Sequence, residues 1–213
     1  MKKTGLFFGS FNPVHTGHLM IANYISEFHA LDEIWFVVTP QNPTKSPQVL
    51  AAAEHRLAMT QRAVKPYPKF RLCDIEFSLP QPAYTIHTLD TLRDRYPQRQ
   101  FSLLIGSDNW YQLPQWKDAD RLCADYRIFV YPRFGFDLPG CAPQYPHTRF
   151  TDAPRIEISS TFIRQAMADN KEVACFMPVE VYQYAVKHKL YGSCPKSFNA
   201  PESPIKNPYI CTL

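Results

Sequence analysis

Short apolar runs alternate with stretches of helical period along most of this chain, and that alternation restricts its fold more than any other feature. Thr4 to Gly9 is apolar, is bounded by glycines and reads as a buried strand. Asn12-Pro13 breaks it. Leu19, Ile21, Ala22 and Ile25 then recur at mixed three- and four-residue spacing, predicting a helix from about Gly17 to Ala30. Glu33 to Thr39 (EIWFVVT) reads as a second buried strand, followed by a Pro-rich loop from Pro40 to Pro47 and a helix over 50–64. Further strands are expected at Phe70–Cys73, Phe101–Ile105 and Tyr126–Tyr131, with Arg149-Phe150 a candidate sixth. Thr85–Arg95, Ser160–Ala168 and Val179–His188 read as helices. Strands that alternate with helices predict an α/β fold, Rossmann-like, with a mostly parallel sheet and helices on both faces. In such folds the ligand crevice lies beyond the carboxyl ends of the strands.

The chain has 213 residues, 45% hydrophobic and 20% charged, enough to bury a core in one domain, expected over residues 1–192. Residues 193–213 carry Pro195, Pro201, Pro204 and Pro208 without an amphipathic period and read as an irregular tail. The net charge is +4 and no run of five Lys or Arg occurs, which argues against a nucleic-acid or membrane partner. The six cysteines lack zinc-ligand spacing, so no protein metal site is expected. No apolar run approaches the ~18 residues that span a bilayer. Lys2 and Lys3 precede an apolar stretch that Gly9 and Asn12 end too early for a signal peptide, so the expected location is cytoplasmic. The sequence is silent on oligomeric state, and a homo-oligomer is compatible with it.

Gly9-Ser10-Phe11-Asn12-Pro13-Val14-His15-Thr16-Gly17-His18 joins the first strand to the first helix. A helix N-terminus offers unpaired amides and the positive end of the macrodipole, both suited to phosphate. His15 and His18, three residues apart, share a helix face there and can point at one anion. Gly17, Gly9 and Ser10 would let a phosphate approach the backbone. Neither a Walker loop nor a GxGxxG is present.

The decapeptide resembles the nucleotidyltransferase signature GSFDPxHxGH. Pro43-Thr44-Lys45-Ser46 stands where that superfamily carries a basic loop. Tyr84-Thr85-Ile86-His87-Thr88-Leu89 resembles its YTxxTL, Ile105-Gly106-Ser107-Asp108 with Trp116 its GxD…W, and Ile158-Ser159-Ser160-Thr161-Phe162-Ile163-Arg164 its ISSTxIR. Together these resemble the bacterial nicotinate-nucleotide adenylyltransferases over residues 4 to 190. Asn12 for the usual Asp, Phe8 for a Gly and Thr44 for a His depart from the pattern.

The resemblance implies transfer of AMP from ATP to nicotinate mononucleotide, giving deamido-NAD and pyrophosphate, with Mg²⁺ arriving on ATP. It implies His15, His18, Lys45 and Arg164 as catalytic, acting by positioning and charge neutralisation. The ATP site would comprise Gly9, Ser10, Phe11, His15, His18, Gly106, Asp108, Ile158, Ser159, Ser160 and Arg164. The pyridine mononucleotide would meet Thr85, Trp116, Lys117, Lys45 and Arg133. Thr85 opens a helix whose free amides favour a pyridine carboxylate over a carboxamide, an expected preference of at least about tenfold. Ser160 is equally suited to plain N-capping, Asp108 to capping the following helix, and Trp116 to a core position. Acceptors such as nicotinamide mononucleotide or phosphopantetheine, and a catalytically silent nucleotide-binding regulator, are the alternatives.

Overall fold

The computed structural model describes residues 1–40, 50–138 and 145–192. Lys45, most of the Pro-rich loop and the 193–213 tail lie outside them. The described elements run β1 (Lys2–Gly9), α1 (Thr16–Phe28), β2 (Glu33–Val38), α2 (Ala53–Val64), β3 (Phe70–Cys73), α3 (Thr85–Arg95), β4 (Arg99–Gly106), α4 (Ser107–Gln112), α5 (Ala119–Asp125), β5 (Arg127–Tyr131), β6 (Thr148–Phe150), α6 (Ser160–Ala168) and α7 (Val179–Lys187). The strands form one sheet of order β3-β2-β1-β4-β5-β6. Every pairing is parallel, with Leu6 opposite Trp35 on one side of β1 and Leu103 on the other. This is the doubly wound α/β arrangement, and its order reverses between β1 and β4.

Covering both faces explains why the strands read as unbroken apolar runs. All six residues of β2 are buried. Along it, Ile34, Phe36 and Val38 enter one core with Phe7, Leu104 and Phe129, under α1, α2, α6 and α7. Trp35 and Val37 enter the other with Leu6, Leu103 and Ile128, under α3 and α5. Each large apolar side chain so buried contributes about 1.5–3 kcal/mol.

The helix limits move where tertiary contacts intervene. α1 stops at Phe28 because Ala30 takes a left-handed φ of 52° and the Leu31 amide bonds back to the Ser26 carbonyl at 3.1 Å. α2 begins at Ala53, not at residue 50, because Ala51 is held elsewhere: its amide donates to Asn12 Oδ1 at 3.1 Å and its carbonyl accepts from Arg56 Nε at 3.1 Å. α5 was not anticipated, and α4 only as a helix following Asp108; at six and seven residues they are too short to show a period.

Glu33 is the exception in β2, a carboxylate only 4% exposed at the amino end of the sheet. Trp35 Nε1 and Arg99 Nη1 donate to its Oε2 at 3.0 and 2.7 Å, and Lys2 Nζ donates to its Oε1. Burial alone would raise its pKa, but these hydrogen bonds and the Arg99 charge outweigh burial and hold it down to about 2. Because the folded carboxyl titrates below the unfolded one, its stabilisation is complete above the ordinary glutamate value and lost as pH falls from there toward 2. The difference corresponds to roughly 3 kcal/mol. Glu33→Gln is expected to be less stable than the parent at neutral pH and to lose less stability across that acid window, as measured by urea unfolding at a series of pH values.

Candidate active site

Two adjoining clefts open at the carboxyl ends of the strands, where the strand order reverses. Phe8, Gly9 and Ser10 at the tip of β1, together with Tyr131 and Asn109, line both.

The first cleft, of about 440 Å³, is bounded by the loop from β1 to α1 and by the N-terminus of α6. His15, His18, Arg133, Ser159, Ser160 and Arg164 all border it. His15 is the N-cap residue of α1. Its amide donates to His18 Nδ1 at 3.2 Å, which places the proton of a neutral His18 ring on Nε2. The two rings lie 3.7 Å apart, centre to centre, and 32° from parallel. Burial, and after it the Arg133 charge, holds His15 down to about 3, so its imidazole is neutral at physiological pH. Its Nδ1 is buried without a hydrogen-bond partner among the described residues.

The loop before His15 is fixed from the core. Phe11 has a left-handed φ of 43°, a strain of about 1 kcal/mol or more in a residue other than glycine. Its ring is buried 5.5 Å from that of Phe36 and 5.1 Å from that of His18, so packing holds the turn. Phe11, expected among the nucleotide contacts, borders the first cleft while its ring packs in the core. Gly9, expected with Gly17 to admit phosphate, lines both clefts, and a Cβ on either glycine would also press on protein: on the Phe11 ring at 2.9 Å, and on Ile156 and the His15 ring at 3.0 and 3.1 Å.

α6 is capped by Ser159, whose Oγ accepts from the Phe162 amide at 3.1 Å. Ser160, the other candidate for that cap, instead donates to the Pro13 carbonyl at 2.9 Å. Arg164 Nη1 donates to the Asn12 carbonyl at 2.9 Å, so α6 is tied to the loop it faces. Asp108 does not cap α4; its Oδ1 lies 3.8 Å from Arg133 Nε without a hydrogen bond. Gly106 makes room for that pair, since a Cβ there would meet Asp108 Oδ1 at 2.3 Å and Arg133 Cγ at 2.8 Å.

The second cleft, of about 420 Å³, is lined by Thr85, Trp116, Lys117, Tyr84, Gly106 and Glu76. Thr85 is the first residue of α3, and Trp116 is half-buried, with one side against the core. Lys117 Nζ lies 5.8 Å from the centre of the Tyr84 ring. Arg133, expected at the pyridine mononucleotide, borders the first cleft beside His15, and Gly106, expected at ATP, borders the second.

One residue with a large part in this geometry escaped the sequence reading. Arg56 is 1% exposed and, among the described residues, donates only to main-chain carbonyls: Ser10 (2.9 Å), Thr39 (2.6 Å), Pro40 (2.6 Å) and Ala51 (3.1 Å). The signal was available, because Arg56 shares its face of α2 with buried Met59, Thr60 and Ala63 at helical spacing. Glu76 and Tyr131 also border the clefts and were not singled out.

The family model described as Cytidylyltransferase-like matches residues 6–166. A Bacteroides fragilis protein named as a nicotinate-nucleotide adenylyltransferase is 48% identical over 185 residues, covering 87% of this chain and 92% of its own. The chain belongs to the nicotinate-nucleotide adenylyltransferase family. A Porphyromonas gingivalis member is 44% identical, covering 88% of this chain and 95% of its own. The fold of the family is shared with the Plasmodium falciparum nicotinic acid mononucleotide adenylyltransferase complexed with NaAD, at a TM-score of 0.74 and 22% identity over 90% of this chain and 98% of that one.

Replacing Arg56 with Met leaves four backbone carbonyls without their buried donor. The variant is expected to lose about 3 kcal/mol or more of unfolding free energy, measured by denaturant titration.

Proposed function

We propose that this chain joins nicotinate mononucleotide to the AMP moiety of ATP. An oxygen of the mononucleotide phosphate attacks the α-phosphorus of ATP. A new P–O bond forms, the bond from the α-phosphorus to the oxygen bridging it to the β-phosphate breaks, and pyrophosphate leaves with the electron pair. The observation that carries this reading is the pair of clefts sharing the tip of β1. One is lined by imidazoles and guanidiniums, the other by a tryptophan and a helix N-terminus.

In this reading the triphosphate lies in the first cleft, along His15, His18 and Arg164 and over the amides of α6. His15 works as a neutral N–H donor rather than as a cation, since burial keeps it uncharged. Asp108 meets a ribose hydroxyl. Arg133, beside His15, serves the phosphates rather than the pyridine. Little covalent work falls to the protein; catalysis is alignment of the two phosphates and stabilisation of charge on their oxygens. The pyridine ring stacks on Trp116, and its carboxylate lies over the first turn of α3 at Thr85, with the Lys117 amide close by.

Mg²⁺ enters as part of the substrate, bound to the triphosphate. Among the described residues no group of three or more His, Cys, Asp or Glu could hold a metal ion, and Asp108 is the one carboxylate bordering the first cleft. No helix of the described residues is long and apolar enough to cross a membrane. A reaction drawing on ATP and a mononucleotide fits a cytoplasmic setting.

The test is pyrophosphate release with ATP and each of nicotinate mononucleotide, nicotinamide mononucleotide and phosphopantetheine. Nicotinate mononucleotide is expected to lead the amide by at least about tenfold in kcat/KM at neutral pH. No release with any acceptor would instead favour a silent nucleotide-binding regulator. His15→Ala and His18→Ala should each lower kcat by about a hundredfold, the usual effect of removing one preorganised donor; losses under about threefold in both would contradict the assigned roles.

A further inference from the structure

Glu76 lies in the short 3-10 turn after β3 and is 2% exposed. It borders the second cleft together with Thr85 and Trp116. Thr88 Oγ1, three residues along α3 from Thr85 and itself fully buried, donates to Glu76 Oε1 at 2.9 Å. The carboxyl group is therefore pinned beneath the helix turn whose amides face the acceptor's ring. The Glu76 main chain is anchored independently, its carbonyl accepting from Gln81 Nε2 at 2.8 Å. Among the described residues Glu76 forms no ion pair. The titratable and charged groups on the surrounding elements are Arg71 and Cys73 on β3, Asp74 on the same turn, His87, Asp90, Arg93, Asp94 and Arg95 on α3, and Tyr84 and Lys117 at the cleft.

A second carboxylate brought into so buried a place cannot coexist with an ionised Glu76 without strong repulsion. A protonated Glu76 removes that repulsion. An ionised Glu76 instead accepts a hydrogen bond from a carboxamide NH₂ and resists a carboxylate. We propose that Glu76 determines the choice between acid and amide acceptors through its protonation state: the neutral form admits the pyridine carboxylate and the ionised form favours the carboxamide. The inference rests on the function proposed above and assigns the specificity of its acceptor cleft. Burial, only partly offset by the Thr88 hydrogen bond, pushes Glu76 up to about 7, so its charge changes within the working range of such an enzyme.

The measurement is the ratio of kcat/KM for nicotinate mononucleotide to that for nicotinamide mononucleotide as a function of pH. Both acceptors carry the same phosphate and use the same ATP site, so those titrations cancel in the ratio. The ratio is expected to fall about tenfold between about pH 6 and about pH 8.5 in the parent and to stay level in Glu76→Gln. A residue with only a structural role would leave the pH dependence of the ratio unchanged. Turnover of both acceptors with a level parent ratio, or an equal slope in Glu76→Gln, overturns the inference while leaving the function intact. No turnover of either acceptor overturns the function instead. Independently of activity, and also if Glu76→Gln fails to fold, a ¹³C carboxyl titration of the parent decides the matter. The Glu76 midpoint should rise when nicotinate mononucleotide is added and fall with the amide, because the coupling between ligand and proton is reciprocal. A midpoint at the ordinary glutamate value, or one indifferent to both ligands, refutes the assignment.

Discussion

The geometry at the mouth of this sheet depends on one buried guanidinium. Arg56 spans the loop after β1, the end of β2 and the approach to α2 by donating to carbonyls in each. An arginine suits this place because its planar fork reaches several acceptors at once and keeps its charge when desolvated. Its carbonyl partners, all on half-buried residues, would otherwise lose that shared donor. From that clamp the rest follows: Ser10 is fixed, the Phe11 ring locks behind it, Asn12 is tied to Ala51 and Arg164, and His15 is delivered to the start of α1.

The two ends of the sheet are electrostatic opposites. At the amino end an acid is ringed by Lys2, Arg99 and the Trp35 indole, and it holds its charge although buried. At the carboxyl end cations gather and acids are scarce, with Asp108 the only described carboxylate on the first cleft beside Arg133 and Arg164. One end is closed and internally neutralised. The other leaves positive charge for an incoming anion to answer, as the ligand-binding end of a doubly wound sheet requires.

Much of this was legible in the residues, for identifiable reasons. The strands declared themselves because burial on two faces makes them uninterrupted apolar runs, and the longer helices because one stripe is apolar. The cleft residues around His15, His18 and Arg164 were legible because histidines and hydroxyl-rich turns at helix starts answer to phosphate chemistry. What escaped detection shares a cause: Arg56, Glu33 and Glu76 are charged residues with buried side chains, and a reading by periodicity assigns charge to solvent. Only the chain partners brought together by folding, often tens of residues away, make such burial tolerable. The glycines carry a packing demand that was hidden for a related reason. Their space is taken by protein rings and side chains, and a linear motif does not reveal which atom fills a gap. The short helices α4 and α5 had too few turns to register.

The partition of the pocket at the tip of β1 has a practical side. Beyond that tip, Tyr131 and Asn109, the clefts are walled by separate segments: Trp116, Tyr84 and Gln115 form one, and the α1 and α6 termini form the other. On the proposed assignment, the acceptor compartment is open to recutting by engineering while the residues assigned to the donor stay in place. A catalyst for dinucleotides bearing unnatural bases would be sought in that wall alone.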